Sequence, residues 1–323
     1  MNRKYLMPRR LLLCMLALAI AFYCSGCMTG GNTDDGKIPQ IPSKLSKNDD
    51  GVPMLKVYNT AEKKIEEMDV ESYVMGVVAG EMNNEWPMEA LKAQAILART
   101  FTMKFVSDKS SSYEGADIST DVREAQAYNA DAVNDRVREA VNETRGLVMI
   151  ADGEFPYAWF HAHAGGMTEL PSKALEYSRD PSYLSVVRSD ESEDAPDEVK
   201  HWTATFTLEQ ARRACEDAGV DVGEITSFEI GEKGDSGRAV SFRVNGKEVS
   251  APSFRLQIDA SKLKSTLIDS IRIEGDHITF SGSGFGHGVG MSQWGAYKMA
   301  GDGRSAEDII KHYYTGVSLS ELW

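Results

Sequence analysis

The chain has 323 residues, 42% of them hydrophobic, enough to bury one large core or two ordinary ones. Its 49 acids against 35 Lys and Arg give a net charge of −14; phosphate affinity rests on cations, so nucleic acid is excluded as a partner. Of four cysteines only Cys215 lies beyond residue 27, which excludes an intrachain disulfide and a thiolate-rich zinc site in the body.

Residues 1–27 read as a targeting segment. Arg3, Lys4, Arg9 and Arg10 precede an apolar run over 11–24. That run is short of the ~20 residues of a membrane span and fits the apolar part of a secretory signal. Cys24-Ser25-Gly26-Cys27 follows and resembles a bacterial lipoprotein cleavage site, with Cys27 as the lipidated residue. Two readings stay open, a lipoprotein and an uncleaved signal-anchor. Both tether the chain to the cell membrane with its body on the extracytoplasmic face, because the basic flank stays in the cytoplasm. Residues 28–53 are rich in Gly, Asn, Asp, Ser, Lys and Pro and read as a flexible tether. The folded region is 54–323.

A strand is expected over 55–58, and then two helices form a hairpin. The first spans 70–81 with Asp69 as N-cap; the second opens after Pro87 and runs over 88–105. Residues 107–134 read as loop and 136–144 as a short helix closed by Gly146. Strands over 147–150 and 157–160 flank Asp152-Gly153, a hairpin signal. Six acids in 189–199 suggest a solvated loop. A helix over 207–218 precedes a small antiparallel sheet, 225–230, 239–244 and 248–250, with Asn245-Gly246 as a turn. Further strand covers 271–280, a glycine-rich loop covers 281–290, and two closing helices follow. Ser305 and Asp308 form a capping box on the second, with Gly316 beyond it. The fold class is α+β with much antiparallel strand.

Val70, Tyr73, Val74, Val77 and Val78 make an apolar stripe, and Glu81 continues it. A carboxyl among apolar neighbours at a helix C-terminus has a raised pKa, which suits a general acid. The alternative is a helix-end Glu reaching solvent. Lys92 and Arg99 share a stripe of the second helix and either face Glu81 or are exposed charges. His161-Ala-His163 suits a metal pair or a structural role, without a third partner of telling spacing. His287 sits among glycines at alternate positions, which lack phosphate-loop or dinucleotide-binding spacing.

Several runs together resemble one family. They are Glu71-Ser-Tyr-Val-Met-Gly-Val-Val-Ala-Gly-Glu81-Met, Trp86-Pro-Met-Glu-Ala-Leu-Lys92-Ala-Gln94-Ala-Ile-Leu-Ala-Arg99-Thr100-Phe101, Gln126-Ala-Tyr128 and Val141-Asn-Glu-Thr144-Arg-Gly146. Phe160-His161-Ala-His-Ala-Gly165-Gly166-Met-Thr168-Glu169, Ser236-Gly237-Arg238 and Gly284-Phe-Gly286-His287-Gly288-Val-Gly290-Met-Ser292-Gln293-Trp294-Gly295-Ala296 follow in the same order. From about residue 55 onward the chain resembles the stage II sporulation protein D (SpoIID) family.

The resemblance implies a lytic transglycosylase. Its substrate is peptidoglycan glycan strands, preferably stripped of peptides, cut between N-acetylmuramic acid and N-acetylglucosamine. Glu81 takes the catalytic place and Arg99 that of the family's nearby basic residue. Lys92, Gln94, His287 and Gln293 stand as substrate-binding residues, with Arg99 or Lys92 on the lactyl carboxylate. No cofactor is implied. Some family members bind zinc through cysteines just after the His161 position; Met167 and Pro171-Ser172-Lys173 supply none, so no thiolate metal site is expected. A SpoIIP-like amidase and a SpoIIM-like membrane protein are the implied partners, in engulfment during endospore formation. Two rival readings are an amidase enhancer acting on other wall hydrolases, and a metal-dependent hydrolase built on His161 and His163.

Overall fold

A computed structural model describes residues 38–323. The targeting segment and the start of the tether lie outside the described residues. The rest of the tether is not free chain: Leu45 and Val52 are buried, and Lys47 bridges Pro53, because the segment holds enough apolar side chain to pack.

The described chain is α+β and divides into two compact units. The first holds residues up to Trp159, Met299–Lys311 and Gly316–Trp323; the second holds Phe160–Lys298 and His312–Thr315.

In the first unit β1 (Met54–Asn59) pairs antiparallel with β2 (Lys64–Asp69), a strand not expected from its charged sequence. Helix α1 (Val70–Glu81) begins where predicted, and Asp69 accepts the Ser72 N–H at 2.8 Å. All five apolar residues of its stripe are fully buried. Helix α2 (Met88–Asp108) runs three residues longer than expected, since Val106 still packs into the core. The two-residue β3 (Ile118–Ser119) joins β1 in parallel within the expected loop. Helix α3 (Asp135–Glu143) and β4 (Leu147–Ile150) follow.

The turn after β4 forms, with positive φ at Asp152 and Gly153, but the expected hairpin does not. Strand β4 instead pairs with chain-terminal residues Ser318–Glu321, and β5 (Phe160–His161) pairs with Met291–Ser292. The turn closes a single bridge, Ala151 to Glu154, and each strand finds longer-range edges.

In the second unit α4 (Pro171–Ala174) and α5 (Asp197–Lys200) are single turns. The alternating run β6 (His201–Thr207) leads directly into α6 (Leu208–Asp217), whose cap is a Thr207–Gln210 box. Strands β7 (Phe228–Ile230), β8 (Ser241–Val244) and β9 (Lys247–Ser250) form the expected antiparallel sheet. Helix α7 (Ala251–Asp259) was not anticipated. The strand expected over 271–280 is a hairpin, β10 (Ile268–Glu274) and β11 (His277–Ser283), turning at Gly275 and extended by β6. Phe228, Phe242, Phe254 and Phe280 meet at the centre of this unit's core.

The chain closes with β12 (Met291–Ser292), α8 (Gln293–Gly301), α9 (Ala306–Tyr313) and β13 (Ser318–Glu321). Among the described residues no helix is long and apolar enough to cross a membrane.

Candidate active site

Two glycines of α1 decide the surroundings of Glu81. A Cβ at Gly80 would lie 2.8 Å from the Ala127 carbonyl, and one at Gly76 would strike the Tyr128 ring. Without side chains there, the segment 126–129 lies directly on the helix. The Asn129 N–H donates to the Gly76 carbonyl at 2.8 Å, and the Tyr128 ring stacks on Tyr73. In that position the Ala127 N–H donates to Glu81 Oε1 at 2.7 Å.

Glu81 is the last helical residue of α1 and is 6% exposed. Burial pushes its carboxyl up to about 8, opposed by the Ala127 hydrogen bond. The helix C-terminus adds to the cost of an anion there. At neutral pH the group is therefore a carboxylic acid with a proton to give.

Of the two readings of Arg99, the exposed charge is overturned by its burial, and the carboxylate it pairs with is Glu71. Arg99 is fully buried, and its Nε and Nη2 grip Glu71, with Nη2 2.5 Å from Oε2. Its Nη1 donates to the Leu147 carbonyl at 3.0 Å. Glu71 also accepts from the Gly146 N–H and from the Trp323 indole, both at 3.0 Å. This buried pair ties α1 to α2, to the start of β4 and to the chain end. Gly146 has φ +71, and a Cβ there would meet the Trp323 carbonyl at 2.6 Å. These motif residues thus close the first unit.

Lys92 bridges Glu89 at 2.7 Å and Glu143 at 2.6 Å. Gln94 is wholly buried in α2.

His287 and Gln293 belong to the second unit and are buried. The other motif residues of this unit gather around Arg238, which is 1% exposed. Its guanidinium donates to the carbonyls of Met167 and Ala164 at 2.9 and 2.6 Å. A Cβ at Gly288 would sit 2.5 Å from that guanidinium, and one at Gly286 would press on His161. The alternating glycines therefore let a loop pass close over buried side chains.

The three histidines there are neutral. Burial lowers His163 to about 4 and His287 to about 3, and holds His161 well below its ordinary value. His161 Nδ1 lies 3.1 Å from the Val289 carbonyl; His163 and His287 use Nδ1 to accept the N–H groups of Gly165 and Val289. Among the described residues no three His, Cys, Asp or Glu side chains are grouped to hold a metal ion.

Glu191 breaks the expectation of a solvated acidic loop. Its side chain is 9% exposed and accepts from the Ala164 N–H and the Ser292 hydroxyl, each at 2.9 Å. Burial raises it to about 7.

Two family models match the chain. One, described as stage II sporulation protein, covers residues 58–150; the other, a domain of unknown function (DUF8618), covers 161–290. Each falls within one of the two units. Stage II sporulation protein D of Bacillus amyloliquefaciens is 34% identical over 279 residues, 82% of this chain and 78% of that protein. The Bacillus subtilis protein of the same name is 33% identical over 281 residues, with the same coverage. The chain belongs to the stage II sporulation protein D family. An amidase enhancer of Bacillus subtilis is also similar, 27% identical over 290 residues, 76% of this chain but 40% of that protein.

Glu81 stands out in the sequence by its stripe and motif, whereas the group that holds it does not. Ala127 acts through its backbone, which no side-chain pattern reveals. The spacing of Gly76 and Gly80, one helical turn apart on α1, was the available signal for a closely packed segment.

Proposed function

We propose that the chain is a peptidoglycan lytic transglycosylase. It cleaves glycan strands between N-acetylmuramic acid and N-acetylglucosamine, and Glu81 is acid and then base. The observation that carries this is the buried carboxyl of Glu81, lifted to about 8 and fixed by the Ala127 N–H.

Ordinary glycosidases need two carboxyl groups. One suffices when the sugar supplies its own nucleophile. Glu81 gives its proton to the glycosidic oxygen as the bond from muramyl C1 to that oxygen breaks. The muramyl C6 hydroxyl then bonds to C1, and its proton passes to the Glu81 carboxylate. The products are a 1,6-anhydro-muramyl end and a free N-acetylglucosamine 4-hydroxyl. No water is consumed, and Glu81 ends in its starting state. The proposed setting is sporulation, at the extracytoplasmic face of the membrane, with an amidase and a membrane protein as partners.

The test is incubation of the protein with peptide-free strands and with intact sacculi, followed by mass analysis. Anhydro-muramyl products that vanish with Glu81→Gln support the reading. Alanine at His287 or Gln293, with cleavage unchanged, removes them as proposed substrate contacts. The similarity to an amidase enhancer favours a second reading. In that case the protein releases no sugar and instead raises the rate of an added amidase.

A further inference from the structure

Gln126 opens the run Gln126-Ala-Tyr128, of which the site described above uses the Ala127 N–H and the Tyr128 ring. The side chain of Gln126 itself is unused. It is 3% exposed, and both polar atoms of its amide, Oε1 and Nε2, are buried with no hydrogen-bond partner among the described residues. No other side-chain amide among them has both polar atoms in that state. A buried amide without partners is costly, because its donor and its acceptor have both given up water. Asn245 shows what a structural amide in this chain does. It accepts from the Thr226 and Ser227 N–H groups and the Thr226 hydroxyl, and donates to the Val222 and Glu224 carbonyls. Gln126 holds nothing of the kind.

Its position is next to the proton donor. The Gln126 carbonyl carbon is bonded to the Ala127 nitrogen, which lies 2.7 Å from Glu81 Oε1. Glu81 is 6% exposed, so neither side chain is open to a glycan strand in the free protein. A strand that reaches the Glu81 carboxyl displaces what covers it, and the same displacement uncovers the neighbouring amide. A carboxamide offers an acceptor and a donor side by side. A second amide satisfies both at once, giving its N–H to Oε1 and accepting from Nε2 at its C=O. The acetamido group on C2 of each sugar in the strand is such an amide. A free amine at C2, protonated at neutral pH, donates to Oε1 and leaves Nε2 unpaired.

We propose that Gln126 is a specificity-determining residue that pairs with the 2-acetamido group of a sugar bound at Glu81. This rests on the glycan-cleaving reading of Glu81. The amide stays unpaired in the free protein and is satisfied in the complex, so its cost is relieved only by a sugar that carries the acetyl group.

The test compares glycan strands with the same strands after enzymatic de-N-acetylation. Wild-type protein shows a KM about tenfold higher for the de-N-acetylated strands, as expected when a buried amide loses its pairing. Gln126→Met keeps the volume and removes both polar atoms. It raises KM for the N-acetylated strands about tenfold and leaves that for the de-N-acetylated strands nearly where it was, so the preference disappears. A variant that keeps the wild-type preference overturns the proposal, as does wild-type protein without one. Should the Met variant not fold, nuclear magnetic resonance of the Glu81→Gln protein decides. The Gln126 side-chain NH2 signals shift with short N-acetylated fragments and not with de-N-acetylated ones; signals that respond to both alike, or to neither, overturn it. Calorimetric binding of the same fragments to Glu81→Gln and to Glu81→Gln/Gln126→Met separates the two ideas. Preferential binding of the N-acetylated form that the Met substitution abolishes, with no cleavage by wild type, defeats the transglycosylase reading and leaves the amide contact standing. Cleavage by wild type, with a binding preference that the Met substitution leaves in place, defeats the amide contact alone.

Discussion

Replacing Glu81 by Gln turns its burial into a measurable stability. The amide oxygen can still accept the Ala127 N–H, and the side chain keeps its volume. What disappears is the ionisable proton. In the folded protein this carboxyl titrates near 8, against an ordinary value of 4.5. Between those values the folded state holds a proton that the unfolded chain has released. Stability of the wild type therefore falls as pH rises through this window, by about 1.4 kcal/mol per pH unit. Across the window the loss reaches about 3–5 kcal/mol once water entry around the ionised group is allowed for. The Gln variant has no such loss. Its advantage over wild type should be flat below pH 4.5, grow through pH 8 and level off above. Denaturant unfolding of both proteins at each pH unit from 4 to 9 measures this, since all other groups cancel in the difference. A difference independent of pH would show an ordinary carboxylate. A difference moving the opposite way would show one stabilised by charge. Either result removes the physical basis for Glu81 as the acid.

Other consequences follow from the same geometry. Glycan cleavage should fall as pH rises through about 8, when Glu81 loses the proton it donates; a rate that climbs through that range speaks against it. Arg99→Ala leaves Glu71 buried without its partner and should cost about 3–5 kcal/mol in unfolding free energy; Arg99→Lys should recover little, because the two-pronged grip on Glu71 is lost. Gly80→Ala puts a methyl into the Ala127 carbonyl; it should lift the segment 126–129 off α1 and depress cleavage at least tenfold while unfolding stays cooperative, and wild-type activity would show the segment to be unimportant. Gly146→Ala, at φ +71 and against the Trp323 carbonyl, should destabilise the first unit by about 1–3 kcal/mol and lower its melting temperature.

Features with local causes were legible in the sequence. Asp69, the valine stripe and Glu81 set both ends of α1, because an N-cap and a 3.6-residue period act over a few neighbouring positions. The Thr207 and Ser305 starts and the Asn245-Gly246 turn are of the same kind. Features decided by distant partners were not. Strand β4 reads as half of a hairpin, yet its partner is Ser318–Glu321. Arg99 reads as either a cation facing Glu81 or an exposed charge, yet it is buried and Glu71 takes it. Glu191 sits in a run of acids and is nevertheless drawn inward by Ala164 and Ser292.

By itself, then, the sequence determined the α+β class, the family and the choice of Glu81, since each is written in short-range patterns or in motifs kept in order. Only the tertiary structure decided between a Glu81 that reaches solvent and one that is buried with a raised pKa. Burial raises its pKa, while one N–H from a residue 46 positions away, brought there because two glycines leave room for a backbone to pass, fixes the carboxyl in place and opposes that rise. Electrostatic environment is a property of what surrounds a group in space, and its neighbours in sequence do not fix it.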